Sequence, residues 1–210
     1  MNLPLIILGA GGHAKVLIDA LRGAEIRGLT DPGSDRAGQQ VLGVPWLGAD
    51  DVLSSHPPDA VQLVNGLGTV RVAPRRRALF ELCKAKGYRF ATVVHASAVI
   101  ASDVDLAEGT QVMAGAVVQA GSQIGENTII NTGAVVDHDC RVGRHVHIAS
   151  GAVLSGYVDV GDRVHIGAGA TVIQGIRIGA GCLIGAGAVV IRDVLAGATV
   201  VGVPAREIKS

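Results

Sequence analysis

The 210-residue chain carries 18 Lys plus Arg against 18 Asp plus Glu, so no field of one sign exists to gather nucleic acid or an anionic membrane. Hydrophobic residues make up 49% of it and aromatics 2%, with 30 glycines; the apolar content is almost all Val, Ile, Leu and Ala, and its runs break well short of the roughly 20 residues of a membrane span. No basic stretch precedes the first apolar run, and three cysteines at 83, 140 and 182 form neither a disulfide framework nor a C-x-x-C pair, which predicts a soluble protein of a reducing cytoplasm with no metal.

Residues 1–91 read as a small α/β domain with a parallel sheet. "LPLIILGA" is a strand, "HAKVLIDALRG" a helix, "IRGLTD" a strand, "DAVQLVNG" a strand after an irregular stretch containing Pro57 and Pro58, and "PRRRALFELCKAKG" a helix opened by Pro74. The first strand runs into "GAGGHA", where Gly9, Gly11 and Ala14 fit the Gly-x-Gly-x-x-Gly/Ala phosphate turn, with Asp31 at the end of the next strand. The glycines let the backbone approach a phosphate, the helix start at His13 offers N–H groups, and Asp31 suits a ribose. A tight strand-to-helix turn without ligand also favours glycine. About 90 residues are too few for both halves of a dinucleotide domain, so a mononucleotide is expected and hydride transfer is disfavoured.

Residues 92–210 follow another grammar. Stepping by six from Val94 to Val190, every position is Val, Ile or Leu, and four residues after each stands a small or β-branched residue, from Ala98 through Cys140 to Val194. Neither the 3.6 period of a helix nor the period of 2 of a sandwich strand keeps a strict six over this length. A solenoid does: three hexads close a triangular coil of 18 residues, and coils stack at the strand spacing of about 4.8 Å. Aliphatic side chains fill a narrow prism that has no room for large aromatics. Gly125, Gly143, Gly161, Gly179 and Gly185 fall at bends, where positive φ would call for glycine.

His138, His145, His147 and His165 lie outside the aliphatic positions and are expected on the prism surface. His138 adjoins Asp139, and a carboxylate beside an imidazole favours the protonated ring and can fix its tautomer. Gly156, one coil beyond His138, is a candidate oxyanion donor. His147 is nine residues from His138, half a coil, and so faces another side of the prism. His165, a full coil beyond His147, should stack beside it with a solvated role. Cys140 occupies an inward position, which suits packing better than nucleophilic catalysis.

The hexads from Val94 to Arg206 resemble the hexapeptide-repeat acyltransferases, which implies a left-handed parallel β-helix and a homotrimer. "ILGAGGHAKVLID", "NGLGTV", "RRALFELCKAKGYRFATVVHASAVI" and "NTGAVVDHDCRVGRHVHIASGAVLSG" narrow the resemblance to the sialic acid O-acetyltransferase-like and nucleotide-4-amino-sugar N-acetyltransferases. That likeness implies acetyl-CoA as co-substrate, His138 as general base with Asp139 as its partner, and coenzyme contacts at His147, Gly156, Ala168, Ala186 and Arg206, the last in the ending "VVGVPAREIKS". It implies nucleotide-sugar contacts at Gly11, Gly12, His13 and Asp31, and at Asn65 and Arg76, although "NGLGTVRVAPRR" departs from the shorter loop of some relatives. The expected reaction is N-acetylation of a UDP- or GDP-linked 4-amino sugar in surface-glycan biosynthesis. O-acetylation of sialic acid is the alternative; a γ-carbonic-anhydrase-like zinc enzyme lacks its His-x4-His pair here, and a non-catalytic nucleotide-sugar scaffold would not need the His138–Asp139 pair.

Overall fold

The computed structural model describes residues 3–32, 39–69 and 74–208. Two compact units divide after Val93. In the first, β1 (Leu5–Leu8), β2 (Ile26–Thr30), β3 (Gln40–Val41), β4 (Val44–Gly48) and β5 (Gln62–Asn65) form a sheet of order β3-β4-β2-β1-β5, with α1 (Gly12–Ala20) following β1 and α2 (Pro74–Ala85) following β5. All four residues of β1 are buried, as a strand paired in parallel on both sides requires. On α2, Phe80 stacks on Phe90 with ring centroids 4.4 Å apart, and the Tyr88 hydroxyl donates to the carbonyls of Leu53 and His56.

Residues 40–55, which fall in the stretch expected to be irregular, instead form strands and a helical turn. Gln40 and Val41 pair antiparallel with Pro45 and Val44, β4 runs parallel beside β2, and a 3-10 helix spans Asp50–Ser55. Pro45 hides this strand from a propensity reading, since proline is rare inside sheets. Gly28 makes the pairing possible, because a Cβ there would lie 2.4 Å from Leu47 Cγ.

The second unit is a parallel β-helix of two-residue strands. Val117 pairs with Val135, Gln123 with Arg141 and Ile129 with His147, each at the 18-residue coil offset. The hexad aliphatics and their small partners form one continuous buried column from Val112 to Val200. The final coil is two residues short, with Leu183 paired to Thr199, and Thr199–Val201 then folds antiparallel onto Arg206–Glu207.

The bend glycines serve a different purpose from the one expected. Gly125, Gly143, Gly161, Gly179 and Gly185 are not at positive φ; a Cβ on any of them would stand 2.4–2.7 Å from atoms of the next coil, such as the Gly143 carbonyl above Gly125. They are required by close stacking of coil on coil.

The three outer faces of the prism differ in chemistry. One presents exposed Asp105, Gln123, Arg141, Asp159 and Arg177 in register. A second presents Val99, Val117, Val135, Val153, Thr171 and Val189, with Val99 61% exposed. On the third, Gln111, Ile129, His147 and His165 are all buried.

Candidate active site

The β-helix site is built at the corner 137–140, between the valine face and the charged face. Asp139 takes left-handed backbone (φ 58°), which a short polar side chain tolerates. Its carboxylate oxygen Oδ2 lies 2.9 Å from His138 Nδ1, and the His138 N–H donates to Asp137 Oδ1 at 2.8 Å. Both side chains of the pair are nearly half exposed. With Nδ1 engaged by the carboxylate, Nε2 is the nitrogen available to a substrate.

One coil on, Gly156 sits beneath this ring. A Cβ on it would lie 2.6 Å from both Cε1 and Nε2 of His138. Among the described residues nothing accepts the Gly156 N–H, while the neighbouring Ser155 and Tyr157 N–H groups donate to Val172 and His138 carbonyls. Tyr157 holds φ at 60°, a conformation costing a non-glycine residue roughly 1 kcal/mol. Its exposed ring meets His138 edge-on, with centroids 5.2 Å apart. Nothing in the hexad pattern marks Tyr157; only the coil offset brings it to His138.

Cys140, two residues from His138, is fully buried and its thiol donates to the Ser155 carbonyl. Burial pushes that thiol up to about 11, so almost none of it is thiolate near neutrality and it is no nucleophile.

His147 and His165 differ from expectation. Neither is on an open surface: each is 8% exposed, and their rings meet edge-to-face with centroids 5.0 Å apart. Thr132 N–H donates to Asn131 Oδ1, which turns Asn131 Nδ2 toward His147 Nε2 at 3.1 Å. His147 Nε2 is therefore an acceptor, and the ring proton sits on Nδ1. Among the described residues nothing bonds the buried His165 Nδ1, and burial lowers the pKa of its ring. Aliphatic flanks gave no sequence signal that both imidazoles would be enclosed. Ala168, Ala186 and Arg206 are exposed, and Arg206 bonds to the Ala205 carbonyl.

In the first unit, the glycine turn, Asp31 and Asn65 lie at the carboxyl ends of β1, β2 and β5, where the chain runs from β1 to β2 on one side and β5 lies on the other, the usual ligand position in open parallel sheets. Gly9 is at φ 105° and Gly66 packs against it, a Cβ on Gly66 coming within 2.8 Å of the Leu8 carbonyl. Gly11 and Gly12 are different: a Cβ on either meets nothing within 4 Å, so the chain's own packing does not demand glycine there. Gly11 caps α1 without a side-chain bond, and a cleft lined by Ala10, Gly11, Gly12, Lys15, Gln40, Val41 and Leu42 opens at this helix start. Lys15 and the strand pair at 40–42 were not singled out from sequence.

Asn65 and Arg76, expected to touch the substrate, are 1% and 4% exposed. Asn65 Nδ2 donates to the Arg76 carbonyl, and Arg76 Nη1 donates to the carbonyls of Asn65 and Leu67, each at 2.7 Å. Burial lowers the guanidinium pKa, and the two carbonyls offset that cost. Both residues hold the 65–67 loop from beneath.

Residues 121–156 and 157–192 match the bacterial transferase hexapeptide (six repeats) family, and residues 4–81 match the PglD N-terminal domain. No curated protein matches the chain. Among solved structures, the acetyltransferase domain of PglB from Neisseria gonorrhoeae is 36% identical, with 99% of this chain and 100% of that one covered at a TM-score of 0.89. PerB from Caulobacter crescentus, solved in complex with CoA and GDP-perosamine, is 40% identical over 98% of this chain and 97% of that one, with a TM-score of 0.90. WeeI from Acinetobacter baumannii is 28% identical over 99% and 100%, with a TM-score of 0.87. The chain belongs to the hexapeptide-repeat acyltransferases, in the subfamily that joins a PglD-type N-terminal domain to the β-helix and includes the amino-sugar N-acetyltransferases.

Proposed function

We propose that the protein transfers an acetyl group from acetyl-CoA to the amine of a nucleotide-linked 4-amino sugar, with His138 as general base. The observation that carries this reading is the arrangement at one corner: Asp139 engages His138 Nδ1 at 2.9 Å, and the α-carbon of Gly156, whose N–H has no acceptor among the described residues, packs against the His138 ring at Nε2. An amine attacking a thioester carbonyl sheds a proton as the C–N bond forms, while the carbonyl oxygen gathers negative charge. His138 Nε2 receives that proton and Asp139 supports the imidazolium. The Gly156 N–H faces the developing oxyanion. The C–S bond then breaks, and the coenzyme leaves as a thiolate that takes the proton from His138. The chain supplies no covalent intermediate, consistent with the buried, protonated Cys140.

The nucleotide is assigned to the first unit on the open α1 start at Gly11 and Gly12, where Lys15 adds a cation beside the helix N–H groups. The complex of PerB with CoA and GDP-perosamine supports an amine acceptor on a nucleotide sugar. Asp31 is the proposed ribose contact, and Ala168, Ala186 and Arg206 the proposed coenzyme contacts.

A trimer is part of this reading. His138 stands at the corner leaving the valine face, whereas the proposed coenzyme contacts Ala168 and Ala186 stand at the corner entering it, so one prism does not bring the base and these contacts together. The valine ladder, exposed at Val99 and half-buried at Val117, Val135, Val153, Thr171 and Val189, is the surface assigned to neighbouring copies. The direct test is a panel of UDP-, GDP- and CMP-linked amino sugars, with CMP-sialic acid and free sialic acid as hydroxyl acceptors, incubated with acetyl-CoA while free thiol is followed. Release with an amino sugar supports the reading; release only with a hydroxyl acceptor replaces it with O-acetylation.

A further inference from the structure

Some β-helix corners are closed by one bond from the fourth N–H to the first carbonyl, as in Ala116 to Met113, Ala134 to Asn131 and Ala152 to Ala149, at 3.0–3.1 Å, whereas others, such as 161–164 and 173–176, show no such bond among the described residues. The corner carrying His138 and Asp139 is built differently. Cys140 N–H donates to Ser122 Oγ at 3.1 Å, and the Ser122 hydroxyl donates to the Asp137 carbonyl at 2.8 Å. Ser122 belongs to the preceding coil and is fully buried. Its hydroxyl stands between the two backbone groups that bond directly elsewhere, and it clasps both ends of the two-residue segment on which the base and its carboxylate sit.

We propose that Ser122 is a positioning residue for acetyl transfer: its inserted hydroxyl ties both ends of the 137–140 corner, and thereby holds His138 over Gly156 and against Asp139. With the hydroxyl removed, the Cys140 N–H and the Asp137 carbonyl lose the group that ties them, as at the untied corners 161–164 and 173–176. The two ends of the segment are then free to shift, and His138 and Asp139 move with them. The inference rests on His138 being the base.

A purely structural role is separable, because the same double bridge occurs at another corner. Thr128 Oγ1 donates to the Gly143 carbonyl at 2.9 Å and accepts from Val146 N–H at 3.1 Å. Thr128→Val deletes an equivalent pair of buried bonds with the side-chain shape retained. Both deletions therefore lower the thermal midpoint alike if satisfaction of buried groups is all they provide.

The experiment compares Ser122→Ala, Ser122→Thr, Thr128→Val and His138→Ala in the full-length protein, with acetyl-CoA and the best amino-sugar acceptor. Ser122→Ala should lose about tenfold or more in kcat, the scale of a small displacement of a catalytic group, with KM for acetyl-CoA unchanged. Ser122→Thr should restore kcat, since Thr110 and Thr128 show that threonine fits this hexad position fully buried. Thr128→Val should melt earlier yet keep kcat. Full kcat in Ser122→Ala, or an equal kcat loss in Thr128→Val, overturns the proposal while a crippled His138→Ala leaves the base assignment standing. An active His138→Ala overturns both.

Discussion

Gly156 lies so close under His138 that a methyl group on it would come within 2.6 Å of the imidazole Nε2. The glycine is not at positive φ, so its small size, rather than its backbone freedom, is what this contact uses. Gly156→Ala should therefore fold normally, because the clash is with the end of a half-exposed side chain that can swing aside. The swing breaks the bond to Asp139 and moves the base from its place. We expect kcat to fall by about 10²-fold, the scale of a misplacement of about 1 Å, with the circular dichroism spectrum unchanged. A Gly156→Ala enzyme with normal kcat would show that the ring position is irrelevant to turnover.

His138→Ala should lower kcat by about 10² to 10⁴, the usual contribution of a positioned base. Stability should hold, since the exposed ring supports no core, and KM for acetyl-CoA should change little. Asp139→Asn should cost less, because it keeps the hydrogen bond to Nδ1 while losing the charge that supports the imidazolium. Steady-state kinetics on both variants, with melting curves to establish folding, checks the assignment. Retained kcat in a folded His138→Ala protein would remove His138 from the role of base.

The β-helix was legible because its interior repeats: each aliphatic at Val118, Val136, Leu154 and Val172 meets the same narrow prism, so one packing rule writes itself into every sixth residue. The coil offset then foretold that His165 stacks on His147 and that Gly156 lies beside the turn of His138. What the offset could not tell was what covers a face, and so the enclosure of His147 and His165 was missed. The bend glycines were given the wrong reason because local φ is a property of one residue, whereas their need comes from backbone 18 residues away. Asn65 and Arg76 were misread for a similar cause. Polar side chains beside a glycine-rich segment look available to a ligand, and only the tertiary structure reveals that Asn65 is spent on the Arg76 carbonyl and Arg76 on the carbonyls of Asn65 and Leu67.

If the valine ladder joins protomers, charge on it should separate them. Val135→Glu and Val153→Glu place unpaired carboxylates at half-buried positions in mid-face, while the inward neighbours Val136 and Leu154 keep the core. Sedimentation equilibrium should give a trimer for the wild type and a folded monomer for the double variant. Activity should vanish with the trimer. A fully active monomer would mean that each site is complete within one chain.

The first unit should bind its ligand independently of coenzyme. Gly12→Val puts a side chain into open space, so no packing is lost, yet the branch stands where a phosphate would meet the α1 start. Lys15→Ala removes the cation lining the same cleft. Calorimetric titration should show weaker nucleotide-sugar binding by both variants, and by Asp31→Ala, with acetyl-CoA affinity unchanged. Equal weakening of both ligands would end the division of labour between the units.

The enclosed His165 should make stability fall on the acid side. Burial lowers its pKa from the ordinary 6.5, and its Nδ1 has no partner among the described residues to hold a proton. As pH drops through about 6.5 the unfolded chain takes up a proton that the folded chain resists, so the unfolded state binds more protons and stability declines, by at most about 1.4 kcal/mol per pH unit for one such group. The decline stops only below the folded pKa. His165→Phe keeps a flat ring against His147 and removes the titration, so its stability should depend less steeply on pH over that window. Urea unfolding at several pH values and one fixed protein concentration, which holds any assembly equilibrium constant, measures the difference. An identical pH slope in wild type and His165→Phe would show that this imidazole is not what resists protonation.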